Sequence, residues 1–118
     1  MHKLLLIENE KFSRDLVREI LGQKYEIVEA FSGEEAMKRI ESINPDLVLM
    51  EVDLPMLDGI GTAKQIRSKF DLKPIIFLTN KRPNEIDNGI LTELNISGFI
   101  TKPFNPDELI SKIKKILM

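Results

Sequence analysis

The amino-acid sequence predicts an α/β fold in which one parallel sheet of five strands carries helices on both faces. Three observations lead there. Short aliphatic runs recur at Leu4 to Ile7, Leu47 to Met50 and Ile75 to Leu78, none alternating with polar residues, as strands buried on both faces do. Amphipathic helical patterns fall between and after them, so that a strand-helix unit repeats five times. No linker, internal repeat or low-complexity stretch interrupts the 118 residues. A single domain, 1 to 118, joined by right-handed crossovers, is therefore expected.

The first strand, Leu4 to Ile7, leads into "EKFSRDLVREILG", where Phe12, Leu16 and Ile20 share a face at steps of four and Gly22 is the stop. "YEIVE" at 25 to 29 is a second strand whose Glu26 and Glu29 suit a sheet edge. The next helix, "SGEEAMKRIESI", opens with Ser32 and Glu35 in capping-box spacing and turns Ala36, Ile40 and Ile43 inward. After the strand Leu47 to Met50, "GIGTAKQIRSKF" offers Ile60, Ala63, Ile66 and Phe70 to the core. After Ile75 to Leu78, "PNEIDNGILTEL" would bury Ile86, Ile90 and Leu94. Asn88 and Gly89 lie inside that pattern, where Gly costs about 1 kcal/mol relative to Ala, so a short helix is expected. "GFI" at 98 to 100 is the last strand. "NPDELISKIKKIL" follows with Asn105 as cap, Pro106 at the first helical position, and Leu109, Ile113 and Ile116 facing in.

Composition narrows the function. Lys and Arg number 17 against 19 Asp and Glu, a formal charge of −2, which lacks the electrostatic footprint of a nucleic-acid binder. No apolar run is long enough to span a membrane. "MHKLLLIENE" meets acids too soon for a secretory signal, and there is no cysteine. A soluble, cytoplasmic protein without direct nucleic-acid or membrane contact is expected.

In an open parallel sheet, ligands gather at the carboxyl ends of the strands, near the switch in strand order. Those ends carry Glu8, Asn9 and Glu10, then Glu51 and Asp53, then Thr79 and Asn80, then Thr101 and Lys102. Four strand ends thus deliver polar groups to one edge. Charge beside a core is costly without a partner, which marks this edge as the place for chemistry.

The segments "LLLIENE", "PDLVLMEVDLPMLDG", "PIIFLTN" and "GFITKPF", in this order and at these separations, resemble the receiver domain of two-component response regulators from Lys3 to Leu117. The flavodoxin-like, doubly wound (βα)5 fold with strand order 2-1-3-4-5, of which receivers are an established example, enters with this resemblance. In the family an aspartate after the third strand accepts a phosphoryl group from a histidine kinase with the help of magnesium; carboxylate, cation and hydrogen-bond donors are the general parts of phosphoryl transfer.

On that pattern Glu51 stands at the acceptor position, aligned by Pro55 and by Asp58-Gly59. Glu8 and Asn9 fall on the acidic pair after the first strand, so a neutral amide stands where the metal normally meets a carboxylate. Asp53 matches the position whose backbone carbonyl helps hold the metal. Thr79 matches the hydroxyl that contacts the phosphoryl group, Lys102 the lysine that pairs with the acceptor, and Phe99 the aromatic switch. Lys102-Pro103 is cis in the family.

Glutamate adds one methylene, which moves its carboxylate by more than ~1 Å, a displacement that can cost about a hundredfold in rate. Asn9 removes charge from a site for a small, hard cation. The resemblance with these departures implies an atypical receiver: not an enzyme, with no catalytic residue, no resident metal and at most weak magnesium binding, for which Glu8, Glu51 and Asp53 are the remaining candidates. Such a domain would act through protein-protein contact, with Glu51 held by Lys102. A permanent mimic of the phosphorylated state is a variant of this reading, though one charge falls short of the roughly two on a phosphate.

The alternatives are a phosphorelay receiver still phosphorylated by a histidine kinase at the modified site, or at Asp53, and a flavodoxin-like ligand binder, which lacks a glycine-rich phosphate loop. A kinase or other signalling protein would dock on the face formed by the fourth helix, fifth strand and fifth helix, a face that also suits a homodimer. Lys112, Lys114 and Lys115 read there as a solvated helix face. The chain reads equally as a stand-alone regulator or as the front of a longer protein.

Overall fold

Every aliphatic run becomes a strand; β1, β3, β4 and β5 each gain one residue over the expected stretch, and β2 shifts by one. The computed structural model of the protein describes residues 1–54, 58–70, 72–81 and 85–118. The strands are β1 (Lys3–Ile7), β2 (Glu26–Ala30), β3 (Leu47–Glu51), β4 (Ile75–Thr79) and β5 (Gly98–Thr101); they alternate with α1 (Lys11–Leu21), α2 (Gly33–Ile43), α3 (Gly59–Lys69), α4 (Asn88–Glu93) and α5 (Pro106–Leu117). All pairings are parallel, in the order β2-β1-β3-β4-β5. The expected fold class and strand order are both present. No helix among the described residues is long and apolar enough to cross a membrane.

The pleat divides the strand side chains between two cores. Leu5, Ile7, Val48, Met50, Ile75 and Phe77 pack with Ala36, Ile40, Ala63, Ile66 and Leu94, while Leu4, Leu6, Leu47, Leu49, Ile76 and Leu78 pack with Val17, Leu21, Leu109 and Ile113. Full burial of each such aliphatic side chain is worth about 1.5–3 kcal/mol. This two-sided burial explains the absence of alternation in the sequence.

The helix ends follow local chemistry. Ser32 accepts from the Glu35 amide at 3.1 Å, Asp58 from Gly61 at 2.7 Å, and Asn105 from Glu108 at 3.1 Å. α2 buries Ala36, Ile40 and Ile43 and α5 buries Leu109 and Ile113, as expected, with Ile116 half-buried. In α3 Ala63 and Ile66 are buried, and Ile60 and Phe70 pack at the margin. Gly59 has a specific reason to be glycine. An added Cβ would lie 2.5 Å from both the carbonyl oxygen of Glu51 and the Cα of Val52, so α3 starts pressed onto the backbone that leaves β3.

Three expectations require correction. The inward face of α1 is Ser13, Val17 and Leu21, and Phe12 is 74% exposed, with Leu16 and Ile20 only half-buried. Two stripes one residue apart compete on this helix. Polar Ser13 disguised the correct one, and its hydroxyl is satisfied by donating to Glu10 Oε1 at 2.7 Å. The N-cap of α1 is Glu10.

α4 is short, as expected, but Asn88 and Gly89 open it instead of interrupting it. Asp87 is the N-cap and accepts from Gly89 at 2.7 Å. Ile86 and Leu94 are buried on either side of it. Pro55, and Pro83 with Asn84 in the expected start of this helix, lie outside the described residues. Lys112 is the third correction. It is half-buried and donates to the Phe99 carbonyl at 2.5 Å, tying α5 to the edge strand β5 instead of lying free in solvent.

Candidate functional site

β1 and β3 are neighbours at the sheet centre, where the order reverses, and the sheet sets the residues at their ends. Ile7 pairs with Met50, Glu51 with Leu78 and Thr79 with Thr101. Backbone hydrogen bonds extend this register by one residue: the Glu8 amide donates to Ala30 at 3.0 Å and the Lys102 amide to Thr79 at 2.8 Å. Glu8, Glu51 and Lys102 therefore converge from three strand ends by backbone geometry, although Glu8 and Lys102 are 94 positions apart.

Lys102 Nζ lies 2.5 Å from Glu8 Oε1 and 2.7 Å from Glu51 Oε2. The first contact is a hydrogen bond. The second is an ion pair outside hydrogen-bond alignment. The three side chains are 13%, 1% and 5% exposed. The remaining carboxylate oxygens are also engaged, Glu8 Oε2 by the Glu10 amide at 3.3 Å and Glu51 Oε1 by the Asp53 amide at 3.0 Å. The longer glutamate side chain thus folds back onto its own loop while still reaching the lysine. Burial alone would lower the Lys102 pKa; the contacts with Glu51 and Glu8 outweigh it and leave the ammonium above its ordinary value.

These groups line a cavity of about 180 Å³ with Asn9, Glu10, Asp53 and Asn80. At its rim Asp53 pairs with Lys81 at 3.3 Å. The Lys81 amide donates to the hydroxyl of fully buried Thr79 at 3.0 Å. Phe99 is half-buried against the α2-α3 side of the sheet, away from the cavity lining. The Lys102-Pro103 peptide is cis. Sequence reasoning paired Lys102 with Glu51 alone, and missed both the bridge to Glu8 and the support from Arg14. The Arg14 guanidinium donates to the Glu8 carbonyl at 3.0 Å and stacks 4.0 Å from the centre of the Phe31 ring. No local motif announces either contact.

Magnesium requires near-ideal octahedral oxygen donors, with carboxylates free to turn toward it. Here both oxygens of Glu8 and both of Glu51 already face protein cations or amides, Asn9 adds no charge, and Asp53 is turned to Lys81. Among the described residues no group of three or more His, Cys, Asp or Glu side chains is placed to hold a metal. The donor set does not fit the ion.

With this geometry in view, the relationships of the chain are direct. The family profile for the response regulator receiver domain matches residues 4–114. The alkaline phosphatase synthesis transcriptional regulatory protein PhoP of Bacillus subtilis is 38% identical over 116 residues, which are 98% of this chain and 48% of that protein. The chain thus spans about half the length of this curated relative. Among solved structures, the response regulator protein TrrA of Thermotoga maritima, in complex with Mg(2+)-BeF, superposes with a TM-score of 0.86 at 35% identity, covering 98% of this chain and 99% of that one. The chemotaxis response regulator CheY4 of Vibrio cholerae gives a TM-score of 0.88 at 26% identity, with 98% of each chain covered. The chain therefore belongs to the response regulator receiver domain family, the signalling modules of two-component systems, which work through histidine kinases and other signalling proteins and are not themselves enzymes.

Proposed function

We propose that this receiver signals without aspartyl phosphorylation, as an atypical receiver whose former reaction site is a structural brace and whose output is protein-protein contact. One observation carries the reading. At the acceptor position stands Glu51, buried, with one carboxylate oxygen against the Lys102 ammonium and the other on the Asp53 amide. A nucleophile must be positioned in line with the phosphorus, and in this reading the longer Glu51 side chain is instead held by the Asp53 amide on one oxygen and drawn to the Lys102 ammonium on the other. Thr79 and Lys102 keep the positions of the accessory groups, and in this reading they serve packing and charge balance.

The partner surface in this proposal is the face of α4, β5 and α5. α4 fully buries none of its own side chains, and β5 is the sheet edge. A histidine kinase or another signalling protein is the partner class, and a second copy of the chain fits the same face. Incubation with acetyl phosphate and magnesium, followed by intact mass spectrometry, tests the proposal. The expected result is no added phosphoryl group; a stoichiometric acyl phosphate at Glu51 or Asp53 would sink it.

A further inference from the structure

We propose that Lys102 is the site's own resident cation, a built-in replacement for the divalent ion, which holds the acidic pocket in one arrangement at any magnesium concentration. This deepens the reading of Glu51 as a non-acceptor, but its test is separate. The position of the ammonium is the first argument. It sits between Glu8 and Glu51, 2.5 Å from one carboxylate and 2.7 Å from the other, bridging the ends of β1 and β3 as a cation held by both strands would. These are the short distances of charge-assisted contacts.

The second argument is charge. Glu8, Glu51 and Lys102 together leave a single net negative charge, Asn9 is neutral, Asp53 is balanced by Lys81, and Glu10 adds one further negative charge to the lining. A divalent ion entering this cavity would meet a like charge at its centre. To form bonds of about 2.0–2.1 Å it would have to strip the ammonium from both carboxylates and free the other oxygens from the amides of Glu10 and Asp53. The third argument is anchorage. The Lys102 amide is fixed to the Thr79 carbonyl at 2.8 Å, and the side chain is 13% exposed, so the ammonium is delivered by the sheet itself.

The experiment is a titration of the protein with Mn2+, read by isothermal calorimetry and by paramagnetic broadening of backbone amides. Wild type is expected to show no saturable binding at millimolar Mn2+ and no selective broadening at Glu8, Asn9 or Glu51. Lys102→Met keeps the apolar stem and removes the charge; it is expected to bind one Mn2+ more tightly than wild type by roughly tenfold or more, and to gain melting temperature on binding. Adding Glu8→Gln to this variant should abolish the gain. Equal affinity in wild type and Lys102→Met would overturn the inference. If Lys102→Met folds poorly, the wild-type arm decides alone, because one-site Mn2+ binding with broadening at Glu8 and Glu51 overturns it and undisturbed amides there support it. Mn2+ binding by wild type without phosphorylation would defeat this inference only, whereas an acyl phosphate would defeat the proposed function.

Discussion

The ends of β1 and β3 and the short helix α4 are fixed in opposite ways. At the strand ends three charged side chains are buried together and every carboxylate oxygen has a protein partner. α4 has six residues and fully buries none of them; its Ile90 and Leu91 pack partly against the core, and Ile86, Leu94 and Arg67 fasten its borders. The Arg67 guanidinium reaches across from α3 and donates to the carbonyls of Leu94 at 2.6 Å, Phe70 at 2.9 Å and Asn95 at 3.2 Å. The difference teaches where change is affordable in this molecule. Rearranging the strand ends means breaking buried ion pairs, whereas moving α4 means breaking the partly buried apolar contacts of Ile90 and Leu91 and the hydrogen bonds of Arg67.

The largest effect should come from removing the shared cation. Lys102→Met leaves two buried carboxylates uncompensated, and breaking a buried pair from one side costs about 3 kcal/mol or more; urea denaturation at neutral pH measures it. The same variant should change the alkaline limb of stability. The folded-state pKa of Lys102 is raised, so its contribution is complete below the unfolded value of about 10.4 and is lost as pH rises through the folded value. Wild type should therefore lose stability in strong alkali more steeply than Lys102→Met, and parallel curves would show that the bridge contributes nothing.

Arg67→Met addresses the other region. Loss of three partly exposed charged hydrogen bonds should cost about 2 kcal/mol. Hydrogen exchange should speed up at Leu94, Asn95 and Ile96 and stay unchanged at Glu51 and Asp53; acceleration at both places would mean that the two regions are coupled after all. The smallest effect is expected at the rim. Asp53→Asn removes an ion pair whose side chains are 56% and 39% exposed, and the change should be about 0.5 kcal/mol or less and vanish at high salt.

Much of the architecture was legible because buried parallel strands and amphipathic helices leave different periods in the sequence. The apolar runs stop at Ile7, Met50 and Leu78, while β3 and β4 continue through Glu51 and Thr79; Glu51 lines the cavity and buried Thr79 accepts from the Lys81 amide, so polar residues with partners at the site hid the strand boundaries. Phe12, Leu16 and Ile20 looked like the core face of α1 because composition favours them over Ser13, Val17 and Leu21. Only the direction in which the helix leaves β1 decides between the two stripes. The residues of the site could be assembled from motif order, since each follows a strand. The Glu8-Lys102 bridge could not, because it depends on where a buried ammonium comes to rest between two acids; nor could Arg14 and Arg67, whose acceptors are backbone carbonyls that carry no residue-type signal.

The central claim is that Glu51 has lost the acceptor role, and the most direct measurement of it is an amide NMR titration of the wild-type protein with beryllofluoride and magnesium, with the Thermotoga relative that has been crystallised with these groups as positive control. The account predicts that the resonances of Thr79, Phe99 and Lys102 stay in place in this protein while those of the control shift. A stoichiometric new set of resonances at Thr79 and Phe99 would contradict it.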